Sequence, residues 1–279
     1  FMKPLYLIVI FTIYLCLLGF SQISSNKSTE EPELIKDITS NNEKRFDSLS
    51  AIQLDTSMSK DSDIKILLPE AYRDTDITKF YTMKSEPWCD LYKDKNYYFK
   101  KAKITIERGF DDCCGDSTTI VNTKNESLIL IKGLSPIQGK LYSITLDKQY
   151  VWVGETQQFR FYDKNYVLRG DGITIKSGQA YIDDSNGKPE RWDDVKDYKL
   201  YLTQEGDTKE QLLISIPEFE GTFVKILWIG DLDQDKVPDL LLDVSPHYEI
   251  KKVILFLSSK AEKDEIVKNV GFSQLGFDC

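Results

Sequence analysis

An acidic segment lies between two apolar segments and constrains the fold more than any other feature of the chain. Asp231, Asp233, Asp235 and Asp239 place carboxylates at positions 1, 3, 5 and 9 of this segment. Unit charges about 4 Å apart repel by roughly 4 kcal/mol at an effective dielectric constant of about 20. Converging carboxylates therefore oppose folding unless a divalent cation lies among them or the side chains point into water.

Both flanking segments have the composition of short strands. Residues 223–229 precede the acidic segment and residues 240–244 follow it, and both are apolar. Two strands that bury their apolar faces hold the ends of the intervening loop together. Carboxylates at this spacing are typical of loops that surround Ca²⁺ with oxygen ligands. The sequence therefore predicts a calcium-type hairpin loop over residues 231–239, with a solvated acidic turn as the alternative.

An EF-hand is the competing interpretation of the same spacing. Position 12 of the loop is Leu242, where an EF-hand needs a bidentate Glu, and the flanks lack a helical amphipathic period. Position 6, which is Gly in such loops, is Lys236. A non-Gly residue with positive φ at this position costs about 1 kcal/mol. The sequence therefore favours a strand–loop–strand unit over a helix–loop–helix unit.

Residues 228–243 resemble the calcium-binding segment of FG-GAP (integrin-α-like) repeats, which is a strand–acidic loop–strand unit. The resemblance implies five calcium ligands, which are the side chains of Asp231, Asp233, Asp235 and Asp239 and the main-chain carbonyl of Val237. Families with such repeats generally stack several of them into a β-propeller, whereas this chain contains one copy. The resemblance therefore supports the ion more strongly than it supports a propeller.

Short runs rich in β-branched and aromatic residues recur along the rest of the chain. They span residues 97–106, 118–121, 128–131, 141–146, 150–153, 158–162, 166–168, 172–175, 198–202, 211–216 and 252–257. Turn signals such as Asn186-Gly187 separate them. This pattern predicts an all-β fold of mainly antiparallel sheets, as a sandwich, a barrel or a propeller-like arrangement. A few short helices are expected, at 86–93 and 262–268.

The N-terminal residues predict export. An apolar run follows Met2-Lys3 and gives way to polar sequence after Phe20, which indicates a signal peptide over residues 1–21. A permanent N-terminal anchor is the alternative. Residues 22–60 are polar and read as a disordered leader, and residues 61–279 form the predicted β-rich domain. We expect a secreted, periplasmic or cell-envelope protein that does not insert into the membrane after signal cleavage.

The charge balance and the cysteines restrict the possible partners and crosslinks. The chain has 45 acidic and 36 basic residues, so a nucleic acid partner is not expected. Cys89, Cys113, Cys114 and Cys279 are an even set behind a signal peptide, which suggests disulfides. The expected layout links the adjacent pair to Cys89 and to Cys279, and a bond within the adjacent pair is the alternative.

The sequence offers little support for catalysis. His247 is the only histidine, and no Gly-x-Ser-x-Gly motif is present. Trp88, Trp152 and Trp192 lie near polar segments, where an exposed indole could stack on a sugar ring. The leading hypothesis is a non-catalytic, calcium-stabilised module that binds a protein or a glycan. The alternative is a calcium-stabilised secreted hydrolase that uses two carboxylates.

Overall fold

Short antiparallel strands account for most of the structure. The computed structural model describes residues 63–73, 82–182, 189–207 and 209–276, and only the backbone of 179–182 and 189–192. Within these ranges the strands are β1 (Lys65–Leu67), β2 (Ala71–Arg73), β3 (Trp88–Lys93), β4 (Tyr97–Lys101), β5 (Ile104–Asp111), β6 (Asp116–Thr123), β7 (Glu126–Lys132), β8 (Ser143–Ile144), β9 (Thr156–Phe161), β10 (Lys164–Ile182), β11 (Pro189–Gln204), β12 (Gln211–Glu218), β13 (Lys225–Gly230), β14 (Asp239–Asp243), β15 (Ile250–Leu257) and β16 (Lys268–Gly276). A 3₁₀ turn, Ser258–Lys260, follows β15. The predicted all-β fold class is confirmed.

The strands form four sheets, and neighbouring strands within each sheet run antiparallel. Sheet A has the order β1-β7-β3-β4, and sheet B has the order β2-β6-β5. Sheet C has the order β16-β15-β14-β13-β8, and sheet D has the order β12-β11-β10-β9. Isolated parallel bridges join Val153 to Gly170 and Glu220 to His247. Consecutive strands are mostly neighbours, as expected when short turns join antiparallel strands.

Sheet C is buried on both faces, between sheet D and sheet A. Leu240 and Leu242 of β14 pack with the apolar side chains of sheet D. Leu241, between them in sequence, packs with the apolar side chains of sheet A. Successive side chains of a strand point to opposite faces, so a strand covered on both faces needs a continuous apolar run rather than an alternating one. The layers therefore explain why residues 240–242 are all leucine.

The second face of sheet A packs on sheet B. Trp88 and Leu130 of sheet A contact Ile106 and Val121 of sheet B in a smaller apolar cluster. The four sheets consequently pack in the order B–A–C–D, with one apolar layer between each neighbouring pair. Sheet C, which carries the acidic loop, is an inner layer of this stack.

Both expected helices are wrong. Within residues 86–93 the structure has strand β3, which pairs with β4 and β7 and buries Trp88 and Leu91 on opposite faces. Residues 262–268 form a turn that leads into β16, and Asp264 has φ +75°, a conformation that an α-helix does not contain. Short charged segments with a few apolar residues match both periods, and pairing with neighbouring strands decided the outcome.

Cys89 does not form the disulfide that the sequence suggested. It is a buried free thiol in the apolar layer between sheets A and C, with Sγ 3.6 Å from the carbonyl oxygen of Leu134. The adjacent pair begins with Cys113, which is exposed at the turn between β5 and β6. The predicted disulfide from Cys89 to this pair is therefore wrong. The link to Cys279 concerns a residue outside the described ranges and stays a prediction.

The proposed signal peptide, residues 1–21, and most of the polar leader, residues 22–60, also concern parts of the chain that the structure does not describe. The Asn186-Gly187 turn lies outside the described residues as well, although the strands on both sides of it pair as far as Ile182 and Pro189. In the described part of the chain, no helix combines the length and apolar character needed to cross a membrane.

Candidate metal centre

The acidic segment forms the loop of the β13–β14 hairpin. Gly230 pairs with Asp239 at the base of the loop, and the pairing continues to Lys225 and Asp243. The two flanking apolar segments are therefore antiparallel neighbours, as the sequence predicts. Leu232 is buried in the layer between sheets A and C, so the loop itself is held by an apolar side chain as well as by its two strands.

Three of the four aspartates converge. Carboxylate oxygens of Asp231, Asp233 and Asp239 lie within 4.8 Å of one another. Asp231 is 3% exposed and Asp239 is fully buried. Bringing charged carboxylates together away from water is unfavourable unless a counter-charge is present. The geometry and the donor set fit a hard divalent cation, which prefers oxygen ligands.

Asp233 is the least well bonded of the three aspartates, because neither of its oxygens has a hydrogen bond of normal geometry. Both carboxylate oxygens of Asp233 are inaccessible to solvent and lack a hydrogen-bond partner within normal geometry. Burial raises the pKa of Asp233, and the Asp235 carboxylate adds to the effect, while Ser259 and nearby backbone N–H groups act in the opposite direction. Buried polar atoms are almost always paired. Two unpaired oxygens beside two other carboxylates are therefore the strongest indication that this cluster suits a cation.

Asp239 is buried but well bonded. Its Oδ2 accepts a hydrogen bond from the Leu232 N–H at 2.6 Å, and its Oδ1 accepts one from the Ser258 N–H at 2.8 Å. Burial is the main cause that raises the pKa of Asp239 well above its ordinary value, and the charge of Asp233 comes second. These N–H groups orient the carboxylate, while burial disfavours its charged form.

Asp235 and Val237 have other contacts in the structure. Asp235 is exposed, and its Oδ1 accepts a hydrogen bond from the Val237 N–H at 2.8 Å. Its Oδ2 lies 2.9 Å from the Ser258 Oγ. The structure therefore brings Asp231, Asp233 and Asp239 together and turns Asp235 towards Ser258. The ligand roles of Asp235 and of the Val237 carbonyl stay predictions.

The loop backbone includes two residues in the left-handed region. Gln234 has φ +65° and Lys236 has φ +69°, so the cost of a non-Gly residue with positive φ applies at Lys236. The Lys236 N–H points at the Asp231 carboxylate, with its nitrogen 3.3 Å from Oδ2 and 3.4 Å from Oδ1. Each left-handed non-Gly residue costs roughly 1–2 kcal/mol. The loop adopts these unfavourable conformations, and the Lys236 N–H then faces the Asp231 carboxylate.

The strand before the loop ends in a close contact between Trp228 and Gly230. A Cβ atom on Gly230 would lie 2.1 Å from Cζ2 of the Trp228 indole. Carbon atoms do not approach this closely, so the position admits only glycine while the indole keeps its place. The indole in turn is buried in the layer between sheets A and C.

Sequence reasoning missed several residues at the loop, among them Ser258 and Tyr162. The Ser258 Oγ lies 2.9 Å from Asp239 Oδ1 as well as from Asp235. An antiparallel β14–β15 pair places the end of β15 beside the start of β14, so the sequence held a signal for Ser258. Tyr162 comes from the β9–β10 turn of sheet D, and its hydroxyl donates to Asp231 Oδ2 at 2.8 Å. No local pattern indicates that contact.

The candidate sugar-stacking residues are not surface groups where the structure describes them. Trp88 and Trp152 are buried in apolar clusters, the first between sheets A and B and the second near sheet D. Both are therefore wrong as candidate contacts for an external ligand. The side chain of Trp192 lies outside the described part of the chain.

Comparisons with known proteins add no relative. The chain has no significant match among protein-family models, curated proteins or solved structures. The resemblance of residues 228–243 to FG-GAP repeats therefore stays a prediction that rests on the residues themselves. Fold and site together describe an all-β protein with a buried cluster of three carboxylates at the tip of an inner hairpin.

Proposed function

We propose that the β13–β14 loop binds Ca²⁺ and that the ion stabilises the two strands on which the stack of sheets depends. The observation that carries this proposal is the pair of unbonded, solvent-inaccessible oxygens of Asp233 beside Asp231 and Asp239. A cation at this place would give those oxygens a partner and would balance the charges that burial otherwise disfavours.

Calcium suits the site better than its common competitors. The converging groups are carboxylates only, without a thiol or imidazole that zinc or copper would favour. Mg²⁺ demands nearly ideal octahedral geometry and keeps several waters, whereas Ca²⁺ accepts six to eight oxygen ligands in an irregular loop. Asp235 and the Val237 carbonyl would complete such a set after a small rearrangement of the loop.

The wider proposal is a non-catalytic binding or interaction module, exported from the cytoplasm, whose partner is a protein or a glycan. Support comes from the place of the loop: it closes a hairpin of the inner sheet C, where an ion stabilises strands rather than meeting a substrate. The hydrolase alternative requires two carboxylates across a cleft, and we assign no such pair.

The proposal is tested by thermal unfolding of the full chain in Ca²⁺, in Mg²⁺ and in chelator. We expect Ca²⁺ to raise the midpoint relative to chelator, because a ligand that binds only the folded state at about 100 times its Kd adds about 2.7 kcal/mol. Mg²⁺ should raise it less. The Asp233→Asn variant should lose the Ca²⁺ response while keeping its side-chain size.

Asp147→Asn is the matched control, because Asp147 is exposed and does not belong to the converging group. It removes the same charge and should leave the Ca²⁺ response unchanged. A wild-type midpoint that is the same in Ca²⁺ and in chelator would contradict the metal proposal.

A further inference from the structure

Tyr162 belongs to sheet D and contacts the acidic loop of sheet C, residues 231–239, which is called the metal loop below. It lies in the two-residue turn between β9 and β10, where Phe161 pairs with Lys164. Its hydroxyl donates a hydrogen bond to Asp231 Oδ2 at 2.8 Å. Asp231 is one of the three converging carboxylates, so this contact joins sheet D to the metal loop of sheet C.

The backbone of Tyr162 is held in an unfavourable conformation. Its φ is +51°, in the left-handed region that glycine favours. A bulky aromatic residue is uncommon there and persists only where surrounding contacts fix it. Its contacts include the hydrogen bond to Asp231 and the stack of the Tyr162 ring on the Tyr142 ring, with centroids 4.1 Å apart. Arg160 Nε also donates a hydrogen bond to the Tyr162 carbonyl oxygen at 3.1 Å.

Tyr142 contacts the same aspartate through its backbone. The Tyr142 carbonyl oxygen accepts a hydrogen bond from the Asp231 N–H at 2.9 Å. Asp231 is therefore fixed at its backbone by Tyr142 and at its carboxylate by Tyr162, and the two rings stack on each other. Residues that hydrogen-bond to a metal ligand orient it and tune its affinity, although they do not contact the ion.

We propose that Tyr162 is a positioning residue for the metal loop. Its hydroxyl orients Asp231 for Ca²⁺ and thereby couples ion binding to the packing of the β9–β10 turn against the loop, the arrangement called the seated turn below. This inference rests on the proposed calcium site and adds a reciprocal property to it. If the seated turn favours the ion, the ion must favour the seated turn by the same factor. Occupancy of the loop then regulates how firmly sheet D is attached to sheet C at this point.

The test is isothermal titration of CaCl₂ into the full chain, for wild type, Tyr162→Phe and Tyr142→Phe. The Phe variant at 162 keeps the ring and removes only the hydroxyl that contacts Asp231. We expect its Kd for Ca²⁺ to rise roughly 10-fold or more, as for other residues that support metal ligands. Tyr142→Phe removes the hydroxyl of the stacked partner, whose contact with Asp231 is through its carbonyl, and should leave Kd unchanged.

Each outcome separates the two proposals. Titration is carried out well below the unfolding temperature, so a merely structural role of the hydroxyl would lower the midpoint in chelator without changing Kd. Equal Kd values for wild type and Tyr162→Phe overturn the positioning role while the calcium site stands. Equal losses of affinity in both variants also overturn it, because they assign the effect to the aromatic pair and not to the hydrogen bond. No heat of binding in the wild type overturns both proposals.

Discussion

Strand β3 and the acidic loop both bury carboxylates, and they do so in different ways. Asp90 of β3 is 1% exposed, and one of its oxygens has no hydrogen-bond partner. Its other oxygen accepts a hydrogen bond from the Asn125 side chain at 3.0 Å. Asp233 also has unpaired buried oxygens, but two further carboxylates lie within 4.8 Å of it. The two sites therefore differ in the number of charges that burial brings together.

The difference determines how the cost of burying charge can be reduced at each site. Burial raises the pKa of Asp90, with Asn125 and Ser127 acting in the opposite direction, and a single proton removes its charge. In the metal loop, protonating Asp233 leaves Asp231 and Asp239 in place. Several converging carboxylates are more effectively balanced by one divalent ion. An unpaired buried oxygen alone therefore does not indicate a metal. The same oxygen beside two other carboxylates is the arrangement on which the proposed cation site rests.

The largest effect is expected from Asp239→Ala, measured by urea unfolding in Ca²⁺. The change leaves the N–H groups of Leu232 and Ser258 without their acceptor and removes a converging carboxylate. At about 1–3 kcal/mol for each unpaired buried group, the free energy of unfolding should fall by about 3–5 kcal/mol.

Asp90→Ala is the corresponding change in the other region. Its partner Asn125 belongs to the turn between β6 and β7 and can bond to water instead, so the loss should be smaller. Equal losses at the two positions would contradict the distinction between them.

The effect of Asp233→Asn on the free energy of unfolding is expected to have opposite signs in chelator and in Ca²⁺. In chelator the variant should be more stable than wild type by about 1 kcal/mol, because it removes one of the mutually repelling charges and adds a donor for the neighbouring carboxylates. In Ca²⁺ it should be less stable by about 1.7 kcal/mol, because it lacks the Ca²⁺ stabilisation of about 2.7 kcal/mol and keeps its advantage of about 1 kcal/mol. Denaturant midpoints in the two conditions measure both effects.

Asp90→Asn serves as the comparison for that sign change. Its effect on stability should be the same in Ca²⁺ and in chelator, since no other carboxylate is grouped with Asp90. A Ca²⁺-dependent effect at Asp90 would show that the metal response is not confined to the loop.

The smallest effect is a pH dependence at Asp90. Because the pKa of Asp90 is raised in the folded state, the folded chain holds its proton more tightly than the unfolded chain. The stabilising contribution is therefore present below about pH 4, the ordinary range for Asp, and is lost as the pH rises through the folded-state pKa. Asp90→Asn lacks this loss, so its stability relative to wild type should rise as the pH increases above about 4. A constant difference over this range would argue that Asp90 is not destabilised by its charge.

The features that could be predicted from the sequence are those that local patterns determine. The apolar runs on both sides of the acidic segment identified β13 and β14. Carboxylate spacing identified four aspartates, three of which converge in the structure. The run at 252–257 was predicted as β structure and lies in β15. The order of the sheets could not be predicted, because it depends on which apolar faces meet and no local pattern encodes that choice.

The predictions that the structure contradicts failed for the same reason, because contacts between distant parts of the chain decide them. Residues 86–93 were assigned to a helix because their short pattern fits either period, and only pairing with β4 and β7 makes them a strand. Cys89 was assigned to a disulfide by counting, whereas its position in the layer between sheets A and C leaves it a free thiol. Tyr162 was missed because its contact with Asp231 spans 69 positions of the chain.

The contact between Trp228 and Gly230 has a consequence for how this sequence can diverge. Any side chain at position 230 collides with the indole, so a substitution of the glycine is tolerated only after position 228 has become smaller. A smaller residue at 228 alone leaves a cavity between sheets A and C, which is itself destabilising. The two positions should therefore change together or remain fixed, and homologous sequences should show a tryptophan at 228 only with a glycine at 230.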